Sequence, residues 1–262
     1  TLVVAAAVAL GSSPAALGTP PATPEAERPP IPPVIWTLSA MQTGDTLSTP
    51  SNPADYTLQF LPDRTVRIRA DCNQGTGTYA ADPPRLRLTD LVTTKVACGP
   101  ESLFDSFIDA LAAVAAYQFQ DDMLELHSSR GERLIFKPQL TGVVWQWDHF
   151  LGGRDIGAAP ANPSAYTIEF RDDGTVAVRA DCNTGTGRYE GTPPQLIISD
   201  LSITEMACSS GSLSGDFVRN LRDVRSFVFR GGQLYLTLMA DAGIMIFSAD
   251  VLPSDQATPT PG

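Results

Sequence analysis

The sequence has few positive charges and no long apolar run, and the shortage of positive charge excludes one class of partner. Of its 262 residues, 18 are Lys or Arg and 29 are Asp or Glu, so the net charge is −11. A chain of this charge repels a phosphate backbone and has no basic stripe to offset the repulsion, which excludes nucleic acid as a partner. Its most apolar run, residues 1–10, is too short to cross a bilayer as a helix.

The two ends of the chain differ in composition from its middle. Residues 1–10 and the small residues after them are similar to the apolar region and cleavage zone of a signal peptide, without the usual initial Met and basic residues. We therefore expect a truncated signal-peptide-like segment over 1–18, with an uncleaved membrane anchor as the alternative. Residues 19–33 are dense in proline and predict an extended spacer, and 252–262 predict a disordered Thr/Pro tail.

The middle of the chain consists of two tandem repeats of one sequence unit. The string Ala-Asp-Cys-Asn-x-Gly-Thr-Gly-x-Tyr occupies 70–79 and returns at 180–189, a shift of 110 residues. A repeat of this length indicates two similar domains, each large enough for its own apolar core. We predict domains at 34–138 and 141–251, joined by a linker so short that they touch.

Apolar and polar residues alternate through several short segments of each repeat. Such alternation predicts half-buried strands, and the turn residues between the segments predict antiparallel hairpins. The pattern is clear at Tyr56, Leu58 and Phe60, and again at Tyr166, Ile168 and Phe170.

The spacing of apolar residues changes after the second cysteine of each repeat. Steps of four, four and three predict one helix with an apolar stripe. Many short antiparallel strands with one helix predict a mainly β (α+β) fold of two tandem, partly open barrel-like domains. The stripe comprises Leu103, Phe107, Leu111 and Val114 in the first repeat, and Leu213, Phe217, Leu221 and Val224 in the second.

A set of motifs, present in both repeats, resembles the META domain family, also called the HslJ-like family. The motifs are a leading Trp, a Cys-Asn pair followed by Gly-x-Gly-x-Tyr, and a Thr-x-x-Ala-Cys string before the helix. The resemblance covers about 33–138 and 141–250. The matching positions are Trp36, Cys72, Asn73, Gly77, Tyr79, Thr94, Ala97 and Cys98, then Trp145, Cys182, Asn183, Gly187, Tyr189, Thr204, Met206, Ala207 and Cys208.

The resemblance implies a fold more specifically than a function. It implies a compact antiparallel β-barrel-like domain with a helix, in bacterial envelope or secreted proteins linked to heat shock and stress response. It assigns no biochemical activity. Val96 departs from the methionine usual in the Thr-x-Met-Ala-Cys string, which Met206 keeps.

Four cysteines allow three disulfide connectivities. Each repeat has its own pair at the same separation of 26 residues, which favours the bridges Cys72–Cys98 and Cys182–Cys208. A reactive thiol is the alternative, but a thiolate needs a nearby base or cation. The closest charged residues in sequence are Asp71 and Asp181, so we expect structural disulfides.

Three other patterns point towards chemistry, and in each the structural interpretation is favoured. Asp71-x-Asn73-x-Gly75 is similar to the start of a calcium loop but lacks the later Gly and Glu, so we expect a tight turn in which Asn73 bonds local backbone. The glycines of Gly-Thr-Gly lack the rest of a phosphate-binding motif, and we expect them to permit a bulge or a positive φ. His127 and His149 occupy non-equivalent positions, which argues against a duplicated catalytic triad.

These observations predict an exported, non-enzymatic tandem domain protein without metal or cofactor. Its role would be that of a binding or structural module for an unidentified protein or envelope component, linked to envelope stress tolerance. Any membrane contact would be made through the N-terminal segment alone. A second hypothesis is a carrier that holds a lipid or hydrophobic small molecule inside each barrel. A hydrolase is a third, without a supporting set of residues.

Overall fold

The structure is a computed structural model that describes residues 30–152 and 155–250. The predicted leader 1–18, most of the predicted spacer and the predicted tail 252–262 lie outside the described residues. These ranges cover nearly all of the two repeats and the four residues that precede the first.

Nine strands and one α-helix are described in the first repeat. Their order along the chain places the helix between the sixth and seventh strands. The elements are β1 (Ile35–Thr43), β2 (Thr46–Ser48), β3 (Tyr56–Phe60), β4 (Thr65–Ala70), β5 (Asn73–Asp82), β6 (Arg85–Thr93), α1 (Phe104–Ala112), β7 (Val114–Gln120), β8 (Met123–Ser128) and β9 (Glu132–Pro138).

The second repeat has the same order of elements over its described residues. The elements are β10 (Val144–Gly152), β11 (Asp155–Ala158), β12 (Tyr166–Phe170), β13 (Thr175–Ala180), β14 (Asn183–Glu190), β15 (Ile197–Ile203), α2 (Ser214–Arg222), β16 (Val224–Arg230), β17 (Gln233–Leu238) and β18 (Ile244–Asp250).

The strands of the first repeat close into a barrel. Neighbours pair in the order β1, β3, β4, β5, β6, β7, β8, β9, and β1 also pairs with β9. The short strand β2 is attached to the far end of β1. The contact between β6 and β7 consists of a single register pair, Arg85 with Ala116.

The second repeat follows the same plan. Its sheet has the order β15, β14, β13, β12, β10, β18, β17, β16, with β11 beside β10. The outer strands β15 and β16 share no register pair, but Gln195, two residues before β15, forms an isolated bridge with Ser226 of β16. This bridge is equivalent to Arg85 with Ala116, shifted by 110 residues. Both sheets are antiparallel, so the prediction of two mainly β, barrel-like domains with one helix each is confirmed.

Apolar side chains fill the interior of each barrel. Along β3 the residues alternate between buried and half-buried, as the sequence predicts. Leu58, Phe60 and Phe107 are fully buried in the first barrel. The Phe60 and Tyr79 rings pack edge to face with their centroids 5.1 Å apart, and rings in this geometry add to the stability gained from buried area.

The helix is shorter than the predicted stripe. Leu103 is the N-cap of α1, and Val114 is the first residue of β7 rather than part of the helix. Phe107 and Leu111 are fully buried and carry the contact between helix and barrel. Val is β-branched and favours a strand over a helix end. The apolar pattern therefore runs past the end of α1 into the first residue of β7.

The last four residues of the predicted spacer, 30–33, lie against the barrels. Ile31 is fully buried, and the carbonyl of Pro32 accepts a hydrogen bond of 3.1 Å from Nε1 of Trp36. Pro32 also contacts the second repeat, because a Cβ at Gly232 would lie 2.5 Å from its Cγ. The two barrels therefore touch through this segment.

The turn between β7 and β8 also lies near the second repeat. Burial raises the pKa of Asp122, and the neighbouring Asp121 raises it further. Arg230, at the end of β16, opposes both effects. The two repeats thus differ in charge at equivalent turns, because Asp121 and Asp122 of the first correspond to Gly231 and Gly232 of the second.

Candidate functional site

A disulfide joins the start of β5 to the loop before α1 in the first repeat, and the second repeat has its equivalent. Cys72 bonds Cys98 with their Cα atoms 5.7 Å apart, and Cys182 bonds Cys208 with theirs 5.5 Å apart. The described cysteines are all paired in this way. The within-repeat connectivity that the spacing favours is confirmed.

Asn73 holds the same loop through a buried amide. Its side chain is fully buried. Oδ1 accepts hydrogen bonds from the Val96 backbone nitrogen at 2.7 Å and from the Thr94 hydroxyl at 2.8 Å. Nδ2 donates to the Val96 carbonyl at 3.0 Å. The amide, the disulfide and Thr94 together form what we call the loop clamp.

The second repeat contains the same loop clamp with nearly the same distances. Oδ1 of Asn183 accepts from the Met206 nitrogen at 2.7 Å and from the Thr204 hydroxyl at 3.0 Å, and Nδ2 donates to the Met206 carbonyl at 3.1 Å. Val96 and Met206 occupy the same position, and each is 61% exposed. Their backbone atoms are therefore bound while their side chains face solvent.

The prediction that Asn73 bonds local backbone is wrong. Its partners Thr94 and Val96 lie 21 and 23 residues away in sequence. The positive φ of the predicted turn falls instead on Asp71, at 58°. The Asn73 amide uses both its donor and its acceptor to satisfy backbone groups of a distant loop. Local turn chemistry does not predict such long-range bonds.

The glycines of the repeated string lie in β5 and β14 opposite a bulge. The register between β5 and β6 shifts between Thr76 and Thr78, as expected. The positive φ is on Asp90, at 53°, and on Asp200, at 50°, rather than on either glycine. Gly77 is required by close approach, because a Cβ there would lie 2.9 Å from the Thr89 carbonyl oxygen.

The motif aromatics connect barrel walls to loops. Trp145 Nε1 donates to the Leu140 carbonyl at 2.8 Å, as Trp36 does to Pro32. The Tyr79 hydroxyl donates to the Leu61 carbonyl at 2.8 Å, and the Tyr189 hydroxyl donates to the Arg171 carbonyl at the same distance. Burial is the main cause that raises the pKa of both tyrosines.

Sequence reasoning missed the role of the tyrosine that leads β3 and β12. The hydroxyl of Tyr56 accepts a hydrogen bond of 2.8 Å from the Leu103 backbone nitrogen at the start of α1. Tyr166 accepts from Leu213 at 2.9 Å in the same way. These bonds satisfy amides that a helix start leaves without partners. The constant 110-residue shift of the tyrosine was the available signal.

A polar cluster around Glu125 was also missed. Leu124 and Leu126 point into the barrel, so Glu125 lies on the outer face, where it is nevertheless only 5% exposed. Gln118 Nε2 donates to it at 2.9 Å, an Arg133 nitrogen lies 3.4 Å away and His127 Nε2 lies 3.6 Å away. The second repeat has Tyr235 in place of Glu125. The cluster thus belongs to the first barrel alone.

The described residues form open grooves on the surface of the barrels. Three grooves have volumes of about 610, 530 and 490 Å³. The largest lies on the outer face of β3 to β6, the second at the rim between β6 and β7, and the third beside the loop clamp of the second repeat. The interiors are occupied by aromatic and aliphatic side chains, so the carrier hypothesis is not favoured.

Two further features are absent from residues 30–152 and 155–250. Over these ranges, no group of three His, Cys, Asp or Glu side chains is arranged to hold a metal ion. Nor does any helix described there combine the length and the apolar character needed to cross a membrane.

Comparison with known families decides the family of the chain. The family model of the META domain matches residues 31–140 and again 138–251. The chain belongs to the META domain family. Each META domain here contains one loop clamp, and the two copies span both barrels. A comparison with curated proteins gave no match.

Two solved structures are similar to part of this tandem META-domain chain. An NMR structure of a protein from Burkholderia xenovorans is 21% identical, covers 51% of this chain and 94% of its own, and has a TM-score of 0.37. A crystal structure of a DUF4847 family protein from Bacteroides vulgatus is 15% identical, covers 43% and 96%, and has a TM-score of 0.33.

The two disulfides bear on the compartment in which the META domains fold. Disulfides persist in oxidising compartments outside the cytoplasm and are rare inside it. Each bridge here closes a loop of 26 residues within one domain. The arrangement therefore fits an extracytoplasmic fold.

Proposed function

We propose that this protein is an exported, non-catalytic tandem META-domain module that binds a protein or envelope component and contributes to envelope stress tolerance. The observation that carries the proposal is the duplicated loop clamp. In each copy the motif side chains bond one another and the backbone, so their chemistry maintains the shape of a loop.

The motif atoms that could react are engaged in these bonds. The four cysteine sulfurs form disulfides, and the Asn73 amide uses its oxygen and nitrogen for Thr94 and Val96. A cysteine nucleophile requires a free thiolate, and a threonine nucleophile requires a base beside its hydroxyl. The loop clamp offers surface and rigidity instead, which supports binding rather than catalysis.

Support for export comes from two independent features. The start of the sequence is similar to a signal peptide, and the two intradomain disulfides fit an oxidising compartment. The link to envelope stress is supported by family membership alone.

Thiol trapping in the native host tests export. The product of the natural gene and a form that starts at residue 19 would be expressed, the cells lysed under thiol-blocking acid, and the free thiols counted by alkylation. We expect the intact chain outside the cytoplasm with no free thiols, and the shortened chain inside with four. Intact protein in the cytoplasm with reduced cysteines would contradict export.

Survival of a deletion strain tests the function itself. We expect poorer survival under detergent or heat stress, restored by the intact chain and not by the form retained inside the cell. Unchanged survival, together with no partner captured by crosslinking outside the cytoplasm, would rule out the proposed role.

A further inference from the structure

The groove of about 610 Å³ on the first barrel has an unusual charge for this protein. It lies on the outer face of β3 to β6, and its lining includes Arg67 and Arg69 but no Asp or Glu. The whole chain has a net charge of −11. A groove with two guanidinium groups in such a chain is a local positive site, and its polar neighbours can donate further hydrogen bonds. These neighbours are Gln59, Gln74, Thr57 and Thr76.

The two arginines differ in how they are held. Arg69 is fixed by an ion pair of 2.6 Å with Asp55. Arg67 is exposed and forms no ion pair or hydrogen bond with any residue that the structure describes. A guanidinium has five N–H donors, so even Arg69 keeps donors for a ligand. Arg67 brings a charge that no described residue neutralises.

The spacing of the two arginines restricts the shape of a ligand. They are two residues apart on β4, so their side chains leave the same face of the sheet. Two residues of a strand span roughly 7 Å. Carboxylates at alternate residues of an extended peptide have the same spacing. A peptide lying along β4 could therefore place one carboxylate at each guanidinium.

The equivalent face of the second barrel has lost this charge. Arg67 is paired across the strands with Gln59, and the equivalent pair in the second barrel is Ala177 with Glu169. Glu169 in turn forms an ion pair of 3.1 Å with Arg171. Only Arg179 remains, at the position of Arg69. The two barrels thus share the fold of this face but not its charge.

We propose that the groove on the first barrel binds an extended acidic peptide with carboxylates at alternate residues. The inference rests on the proposed binding role and names the class of partner. Arg67 makes the charge-assisted contact that the second barrel lacks, and Arg69 with Asp55 positions the neighbouring carboxylate. Arg is suited to this contact because its planar fork binds a carboxylate through two hydrogen bonds.

Fluorescence anisotropy with a labelled peptide of alternating Ser and Glu tests the proposal on the full chain. A peptide with Gln in place of Glu is the ligand control, and Arg179→Ala is the matched protein control. We expect Arg67→Ala to weaken binding at least tenfold, which corresponds to about 1.4 kcal/mol. Arg179→Ala should change the affinity by less than about twofold, because this arginine belongs to the barrel that lacks the paired charge.

A gain of binding gives a second, independent arm. The double variant Glu169→Gln with Ala177→Arg should raise the stoichiometry from one peptide per chain to two.

Circular dichroism and the urea midpoint of Arg67→Ala should match those of the unmodified chain, because Arg67 is exposed and bonds no described residue.

Several outcomes would overturn the proposal. These are no binding of the acidic peptide, equal binding of the Gln peptide, equal losses in Arg67→Ala and Arg179→Ala, or Arg67-dependent binding of polyphosphate without binding of the peptide. The experiment uses purified protein, so any of these results would leave the thiol-trapping and survival tests of the proposed function intact.

Discussion

Oδ1 of Asn73 lies 2.7 Å from the backbone nitrogen of Val96, next to the disulfide that joins Cys72 to Cys98. Covalent and hydrogen bonds thus hold the same loop at adjacent points. The Thr94 nitrogen at the start of the loop between β6 and α1 bonds the Gln74 carbonyl of β5. At Val96 the buried amide supplies the bonds that a neighbouring strand would otherwise make.

Loss of the Asn73 amide should destabilise the first barrel. We expect Asn73→Ala to lower the free energy of unfolding by about 1–3 kcal/mol, the cost of leaving a buried polar group without its partner. Urea unfolding would measure the loss, and peptide-resolved hydrogen exchange would assign it to one barrel. Gln74→Ala, at the exposed neighbouring position, is the control. Equal effects of the two substitutions would contradict the role of the amide.

The close approach at Gly77 gives a second prediction. A Cβ there would lie 2.9 Å from the backbone oxygen of Thr89, which cannot move as a side chain can. We expect Gly77→Ala to cost about 1–3 kcal/mol through overpacking. A Cβ added at Gly99 would meet no atom within 4 Å, and Gly99 has no positive φ, so Gly99→Ala should be nearly neutral. Thermal unfolding of both variants is the measurement, and similar midpoints would refute the packing argument.

Two tryptophans in β10 should respond differently to the same substitution. Both are fully buried, but Trp145 donates to the Leu140 carbonyl, whereas Nε1 of Trp147 has no hydrogen-bond partner among the described residues. We expect Trp145→Phe to be more destabilising than Trp147→Phe by about 1–2 kcal/mol, because only the first removes a hydrogen bond and leaves a carbonyl unpaired. Urea unfolding of the two variants provides the comparison, and the reverse order would be inconsistent with this structure.

Stability should fall at alkaline pH through the buried tyrosines. Burial raises the pKa of Tyr79, so its neutral form is favoured in the folded state. Stability from this group is fully present below the unfolded pKa of about 10 and is lost as pH rises through the higher folded pKa. Tyr79→Phe should lose about 1 kcal/mol at neutral pH, by removal of the bond to Leu61, and decline less steeply above pH ~10.

Urea midpoints measured from neutral to alkaline pH would test this prediction. Tyr235, which is half-buried and for which no such hydrogen bond is described, is the matched position for a control Tyr→Phe variant. A steeper alkaline decline in Tyr79→Phe than in the unmodified chain would show that the sign is wrong.

Local patterns were sufficient for most of the fold. Alternation at Tyr56, Leu58 and Phe60 is a property of neighbouring residues, so the face of β3 could be predicted without knowledge of its partners. The disulfides followed from the repetition of one spacing. The end of α1 could not be predicted in this way, because Val114 is apolar in either a helix or a strand and its contacts in β7 decide between them.

The contacts of the loop clamp depend on distant residues and were therefore missed. Asn73 looks like a turn residue next to glycines, and only the path of the chain brings Val96 to its amide. The burial of Ile31 could not be predicted for a similar reason. Its proline-rich surroundings predict a spacer, while the fully buried side chain depends on a surface that the barrel supplies.

The single pair Arg85 with Ala116 between β6 and β7 makes one seam of the first cylinder weaker than the others, since β5 and β6 share seven such pairs. The amide of Tyr117 maintains this seam by bonding the Pro84 carbonyl, and Phe227 does so with Pro194 in the second cylinder. Local opening of each sheet should begin between these two strands, because the fewest hydrogen bonds must break there. The duplication thus reproduced the weakest contact between strands, so both domains should open first at the equivalent position.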